Sequence, residues 1–173
     1  MVSSKFFAFS ILLLSTTVVN VTEAQEPLPK TMVLYLQETL KGPNATISPI
    51  IGLTGKDWSF HQFGTIFAVD DAVMLSPNQF SSVVGRAQGL LVVSAQDGAN
   101  VFVSLSIVFT NLQYSGSSIE IQGVSRQSEK YREVSIVSGT GKFRFVKGYA
   151  AFQTIFYDVQ TSHSTLSFTL TFQ

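Results

Sequence analysis

The chain contains no cysteine. That is uncommon for a small exported protein, and it excludes disulfide stapling and thiolate metal sites together. Stability must then come from core burial or from association of copies. Histidine is nearly as scarce. His61 and His163 stand far apart, without ligand-like neighbours at metal-site spacing, so both read as turn or surface residues and no metal is expected. Charge of one sign is missing too, since 11 basic residues face 11 acidic ones. A chain with no basic excess lacks the general attraction that nucleic-acid and anionic-membrane binding rely on, so neither partner is expected. No segment is long and apolar enough to span a bilayer, the run Phe6–Leu14 being too short.

That short run has a different meaning. Lys5 precedes it, and Thr22 and Ala24 are small residues at the −3 and −1 positions of a cut before Gln25. Residues 1–24 therefore read as a secretory signal, and 25–173 as one mature domain secreted from the cell. Removing the signal takes away Lys5 and Glu23, so the mature chain stays neutral. Of the two glycosylation sequons, Asn20 lies within the signal. Asn44 follows Gly42-Pro43 in an expected loop and is the candidate acceptor.

The stretch SGTGKFRF, residues 138–145, resembles the end of a phosphate-binding loop but lacks its essentials. Ile136 stands where such a loop needs its first glycine, and Phe143 stands where a Ser or Thr would hold Mg²⁺. Around it the basic residues crowd together: Arg126, Lys130, Arg132, Lys142, Arg144 and Lys147 are opposed only by Glu129 and Glu133. This reads as a solvated rim, with a local site for an oxygen-rich ligand as the alternative.

What the sequence has in abundance is alternation. In STLSFTLTF, Leu166, Phe168, Leu170 and Phe172 alternate with Thr and Ser, the period of two that turns one face of a strand inward. Similar patterns predict strands over 32–40, 62–70, 83–94, 100–109, 118–123, 131–137 and 147–158, making eight with the last. Turn signals GPN, SPN, QDGAN, YSGSS and SGTG separate them. The expected fold is all-β, an eight-stranded antiparallel up-and-down barrel that removes sheet edges and can enclose a small ligand. A sandwich needs similar strands, and composition does not separate the two. Several strands are apolar on both faces, so one face is expected to line the interior and the other to pack on another subunit.

Four segments then carry a resemblance: FGTIFAVDDAV (63–73), VVGRAQGLLVVSAQDG (83–98), IEIQGVS (119–125) and REVSIVSGTGKFRFVKGYA (132–150). In order and spacing the mature chain resembles the plant dirigent family. The resemblance implies a barrel, usually trimeric although a dimer is an alternative, N-glycosylated and secreted to the apoplast. It implies stereochemical control of phenoxy-radical coupling or quinone-methide cyclisation of plant phenolics, of lignan or isoflavonoid type. The radical in the coupling case comes from a partner oxidase, a laccase or peroxidase, and no cofactor is held. Other branches act as cofactor-free cyclases or dehydratases on isoflavonoid alcohols. The alternative function is a non-catalytic wall or defence protein that organises phenolic polymer.

Residue by residue, the resemblance places Glu38 at a catalytic acid position late in the first strand and Arg132 at the pocket arginine. Thr154 matches a threonine near the pocket. Ser125 stands where lignan-forming members have a second aspartate, and Leu91 where they have a tyrosine. Glu38 is thus expected to be the one acid available for proton transfer, with Arg132 as its partner. Asp70 matches an aspartate common in the family and is expected at the rim or in the pocket, with a turn-capping role as the alternative. Asp70 and its neighbour Asp71 cannot both face inward if the strand runs through them.

Overall fold

The computed structural model describes residues 27–173. The expected signal, 1–24, and the sequon at Asn20 lie outside the described residues. Nine strands follow in order: β1 (Thr31–Thr39), β2 (Ile47–Ile51), β3 (Ile66–Met74), β4 (Val83–Val93), β5 (Asn100–Phe109), β6 (Ser118–Arg126), β7 (Arg132–Thr140), β8 (Gly148–Asp158) and β9 (His163–Phe172). Short 3₁₀ turns at Leu112–Tyr114 and Gly141–Phe143 interrupt the β5–β6 and β7–β8 connections.

All neighbouring strands are antiparallel. From β3 to β9 each pairs with the next, β9 pairs with β1, and β1 returns to β3 through Tyr35–Met74, Leu36–Val73 and Gln37–Ala72. That last ladder closes an eight-stranded barrel, the architecture expected from the alternation. The ninth strand, β2, was not anticipated. It continues the edge of β3 where β1 leaves off, pairing Ile47 with Val69 and Ser48 with Ala68. Its sequence, ISPII, has a proline and no alternation, and four of its five residues are exposed, so only the partner strand identifies it.

The strand predicted over 62–70 begins at Ile66 and continues to Met74. Gln62 to Thr65 instead form a turn closed by Thr65 N–H donating to the Gln62 carbonyl. The apolar look of HQFGTIF placed the start too early.

Inward side chains form one core. β5 alternates strictly, with Val101, Val103, Leu105, Ile107 and Phe109 buried. From β9, Leu166, Phe168, Leu170 and Phe172 join it. Close coiling of the wall needs a residue without a side chain at Gly89 of β4, where an added Cβ would lie 2.2 Å from the Ser104 carbonyl oxygen of β5.

One barrel end is plugged. Phe143, fully buried, packs on Phe109, Tyr114 and Phe172, with ring centres 4.9–5.9 Å apart. SGTGKFRF therefore makes the tight connection that drops this ring into the floor. Gly141 turns the chain at φ +57°, and Lys142 N–H donates to Ser117 Oγ of the neighbouring connection. The other end stays open.

Candidate functional site

The open end leads into a cavity of about 600 Å³ walled mainly by aliphatic and aromatic side chains, among them Leu36, Val69, Val103, Leu105 and Phe152. Its polar groups gather at the mouth: Glu38, Asp71, Arg132, Thr154, Ser125 and Ser164. An apolar hollow with a few convergent polar groups is the usual form of a small-molecule site.

Strand register brings the two carboxyls together. The β1–β3 ladder runs through Leu36–Val73 and Gln37–Ala72, and one further step sets Glu38 across from Asp71 on the inward face. There the strands part. Thr39 N–H donates to Thr46 Oγ1, and Thr46 Oγ1 in turn donates a short hydrogen bond to Asp71 Oδ1. On its other flank Glu38 Oε2 accepts from Ser164 Oγ at 2.6 Å. Arg132, at the start of β7, donates from Nη2 to Thr154 Oγ1 at 2.9 Å, and its guanidinium lies over the Phe152 ring.

Burial sets the chemistry of the pair. Asp71 is pushed up from 3.8 to about 8, first by loss of solvent and then by the negative charge of Glu38, against the opposing hydrogen bond from Thr46. Glu38 is also raised by burial, but Ser164 and the positive charge of Arg132 pull it back. Arg132 is lowered by burial, with Glu38 favouring its charged form. Two adjacent carboxyls in a dry site do not both ionise readily, so the groups that favour charge on Glu38 leave the proton on Asp71. The mouth thus offers one carboxylic acid, one carboxylate and one guanidinium.

Of the residues read from the sequence, Glu38, Leu91, Ser125, Arg132 and Thr154 all line this cavity. Asp70 does not. It lies mid-strand on the outer face, neither rim residue nor turn cap, and its Oδ1 accepts from Arg86 Nε at 2.8 Å and from Gln88 Nε2. The Arg86 contact holds its carboxyl below the usual range. The acid that enters is its neighbour Asp71, so the expectation of one available acid is also corrected: there are two. The signal was present in the alternation, because Phe67, Val69, Asp71 and Val73 share a face, but the expected strand ended at Asp70, one residue short of it. Tyr157 was missed for another reason. A bulge in β8 between Thr154 and Phe156 shifts the phase and brings Tyr157, not Phe156, to the cavity. Phe60 and His61 reach the mouth from the long β2–β3 connection, which carries no periodic signal. Asn44 is exposed in the β1–β2 connection, away from the cavity lining. Among the described residues no group of three or more His, Asp or Glu side chains could hold a metal ion.

Comparison with known proteins agrees with this fold. The family model described as dirigent-like protein matches residues 29–173. Dirigent protein 23 of Arabidopsis thaliana is 34% identical over 137 residues, covering 79% of this chain and 73% of that protein. Pterocarpan synthase 1 of Glycine max is 36% identical over 126 residues, covering 72% of this chain and 67% of that protein. The solved structure of a pterocarpan synthase dirigent protein superimposes with a TM-score of 0.75 at 27% identity, covering 82% of each chain.

Proposed function

The chain belongs to the dirigent family, and from that premise we propose that its cavity holds a plant phenolic and directs its ring closure, with Glu38 and Asp71 moving the protons. The observation that carries this reading is the acid–carboxylate–guanidinium cluster at the mouth of an otherwise apolar cavity. The pterocarpan synthases among the relatives favour cyclisation of an isoflavonoid alcohol over radical coupling.

The step balances without an external oxidant. Protonated Asp71 gives its proton to the benzylic hydroxyl, the carbon–oxygen bond breaks, and water leaves. Loss of the phenolic proton gives the neutral quinone methide, and a second phenol oxygen adds to its electrophilic carbon. The proton released by that second phenol restores Asp71, Glu38 returns its proton to the former quinone-methide oxygen, and the net change is loss of one water. Glu38, held by Ser164, accepts the phenolic proton, while Arg132 and Thr154 orient the phenolic oxygen. The apolar wall presents one face of the planar intermediate to the attacking oxygen, which is the source of stereochemical control.

In the second reading, the same cavity holds phenoxy radicals supplied by a separate laccase or peroxidase and orients them by shape. The non-catalytic wall protein is disfavoured because the cavity is open and acid-containing rather than filled by side chains. Secretion to the apoplast belongs to the same proposal.

The test is incubation with a racemic 2′-hydroxyisoflavanol, and separately with monolignol and laccase, followed by chiral chromatography. Cyclised product of one hand is expected from the alcohol alone. Glu38→Gln and Asp71→Asn should each lower its rate by about 10²-fold or more, the usual contribution of a general acid or base. Full activity and unchanged enantiomeric excess in both variants would mean that the pocket works by shape, and the proton-transfer roles would be wrong.

A further inference from the structure

The β2–β3 connection, residues 52–65, is the longest in the described barrel, and it supplies Phe60 and His61 to the cavity lining at the open end. Its own hydrogen bonds are short-range. Lys56 N–H donates to the Leu53 carbonyl, Ser59 N–H to that of Asp57 and Gln62 N–H to that of Ser59. From 52 to 63, one hydrogen bond ties the segment to the rest of the described chain, and its donor is Gln127.

Gln127 directly follows β6. Its Nε2 donates to the Phe60 carbonyl at 2.6 Å and to the Gly98 carbonyl at 2.8 Å, and its N–H donates to the Ala99 carbonyl. One side-chain amide therefore joins three connections of the open end: 52–65, the β4–β5 turn and the β6–β7 turn. Both hydrogens of the amide nitrogen are used, so a carboxylate of the same shape would set oxygen against oxygen.

Packing agrees with the hydrogen bonds. Gly98 has φ +73°, and a Cβ added there would run into the His61 carbonyl, so the β4–β5 turn lies directly on the connection. The Phe60 ring stacks on Phe67 of β3, with centres 4.1 Å apart and planes within 5°. Phe60 is thus held by its backbone and by its ring. Phe67 and Asp71 are four residues apart on the inward face of β3, about 13 Å at the usual strand rise. A ligand that touches both the acids and this wall needs a second ring beyond the reacting one.

We propose that Gln127 is a positioning residue that holds 52–65 as the upper wall of the cavity, so that Phe60 and His61 grip the second aromatic ring of an extended phenolic. The role of Glu38 and Asp71 on the first ring rests on the ring closure proposed above, whereas the clamp rests on the geometry of 52–65 alone. A wall fixed before the ligand arrives need not be ordered on binding, which favours both affinity and a single orientation.

The chain's one tryptophan, Trp58, lies in this connection, exposed and packed on Gly52, so its fluorescence reads the clamp directly. Gln127→Met keeps the length and removes the donors. It should raise acrylamide quenching of Trp58 and trypsin cleavage after the exposed Lys56 several-fold, with the barrel's circular dichroism unchanged. Calorimetric titration with 2′-hydroxyisoflavone, which has both rings but no benzylic hydroxyl to lose, should show affinity reduced about tenfold. With the racemic 2′-hydroxyisoflavanol, KM should rise and enantiomeric excess should fall while kcat stays within about twofold, because the acids are untouched. Gln127→Glu should act in the same way. If Gln127→Met does not fold, Gly98→Ala displaces the connection from the side of His61 and should give the same readings. Unchanged quenching and cleavage in the variants would overturn the proposal, as would a parent that does not bind the isoflavone or a loss confined to kcat. Clamp-dependent binding of the isoflavone by a parent that leaves the alcohol unconverted would uphold the clamp and refute the ring closure.

Discussion

Asp71 is the residue whose environment most changes its chemistry. Its carboxyl titrates at about 8 in the folded chain against 3.8 when solvated, so between those values the folded state binds more protons than the unfolded one. Its contribution to stability is full below the unfolded value, declines as pH rises through the window, and is lost above about 8. Asp71→Asn keeps an oxygen that can accept from Thr46 without the ionisable group. The variant should be more stable than the parent at pH 9, by on the order of a few kcal/mol, and the gap should close toward pH 4. Thermal melts across that range check it, and a gap that does not depend on pH would remove the raised acidity from the account. A second residue-scale prediction concerns Asn44, exposed in a loop and followed by Ala45-Thr46. The secreted protein should lose its glycosidase-sensitive mass shift in Asn44→Gln, and a shift that survives would place the glycan elsewhere.

At the scale of the element, the β7–β8 connection shows how a short irregular segment can stabilise a barrel. Phe143 closes the floor against Phe109, Tyr114 and Phe172, and it is reached only by a chain that turns sharply at Gly141. Phe143→Ala should cost about 3–5 kcal/mol by opening a cavity in the plug. Gly141→Ala should cost about 1–2 kcal/mol, from its positive φ and from a Cβ placed 2.5 Å from Ser117 Oγ. Denaturant titration measures both. The same scale explains β3. Its inward face was legible in the alternation, but its limits were not, because Gln62–Thr65 continue the apolar pattern while the backbone turns. An expected end at Asp70 left Asp71, the next inward position, outside the strand. The bulge in β8 hid Tyr157 in another way, since a single extra residue reverses which positions face inward.

For the whole molecule, the outer wall carries exposed apolar residues on most strands, including Val33, Val83, Leu90, Val124, Val137 and Ile155. They lie on the sides of the barrel, apart from the loop tips of the plugged end. Association through these sides would cover them, and a trimer is the proposal that the family resemblance favours. Light scattering at micromolar concentration should give about three times the chain mass, and a monomer there would leave the exposed wall without an explanation. The whole molecule also redistributes charge. Arg126 to Lys147 form one basic window in the sequence, yet β7 runs the length of the barrel between them. Arg126 and Lys130 reach the open end, Arg132 enters the cavity, and Lys142, Arg144 and Lys147 reach the plugged end.

The sequence by itself determined that this chain is all-β, because alternation with period two needs only neighbours along the chain to be seen, while the choice of a barrel over a sandwich came from the family resemblance. It also determined the glycine-rich turn and, through the motifs shared with the dirigent family, that Glu38, Arg132 and Thr154 would meet at the cavity. Tertiary structure alone decided that Asp71 joins Glu38, since that depends on the register between β1 and β3, strands separated by a loop and a further strand. It alone decided which carboxyl keeps the proton, because desolvation and the placement of Ser164, Thr46 and Arg132 are properties of the closed barrel. And it alone set where the basic window stands, with Arg126 and Lys130 at the open end and Lys142, Arg144 and Lys147 at the plugged one, because net charge is a sum while a surface depends on where each strand finishes.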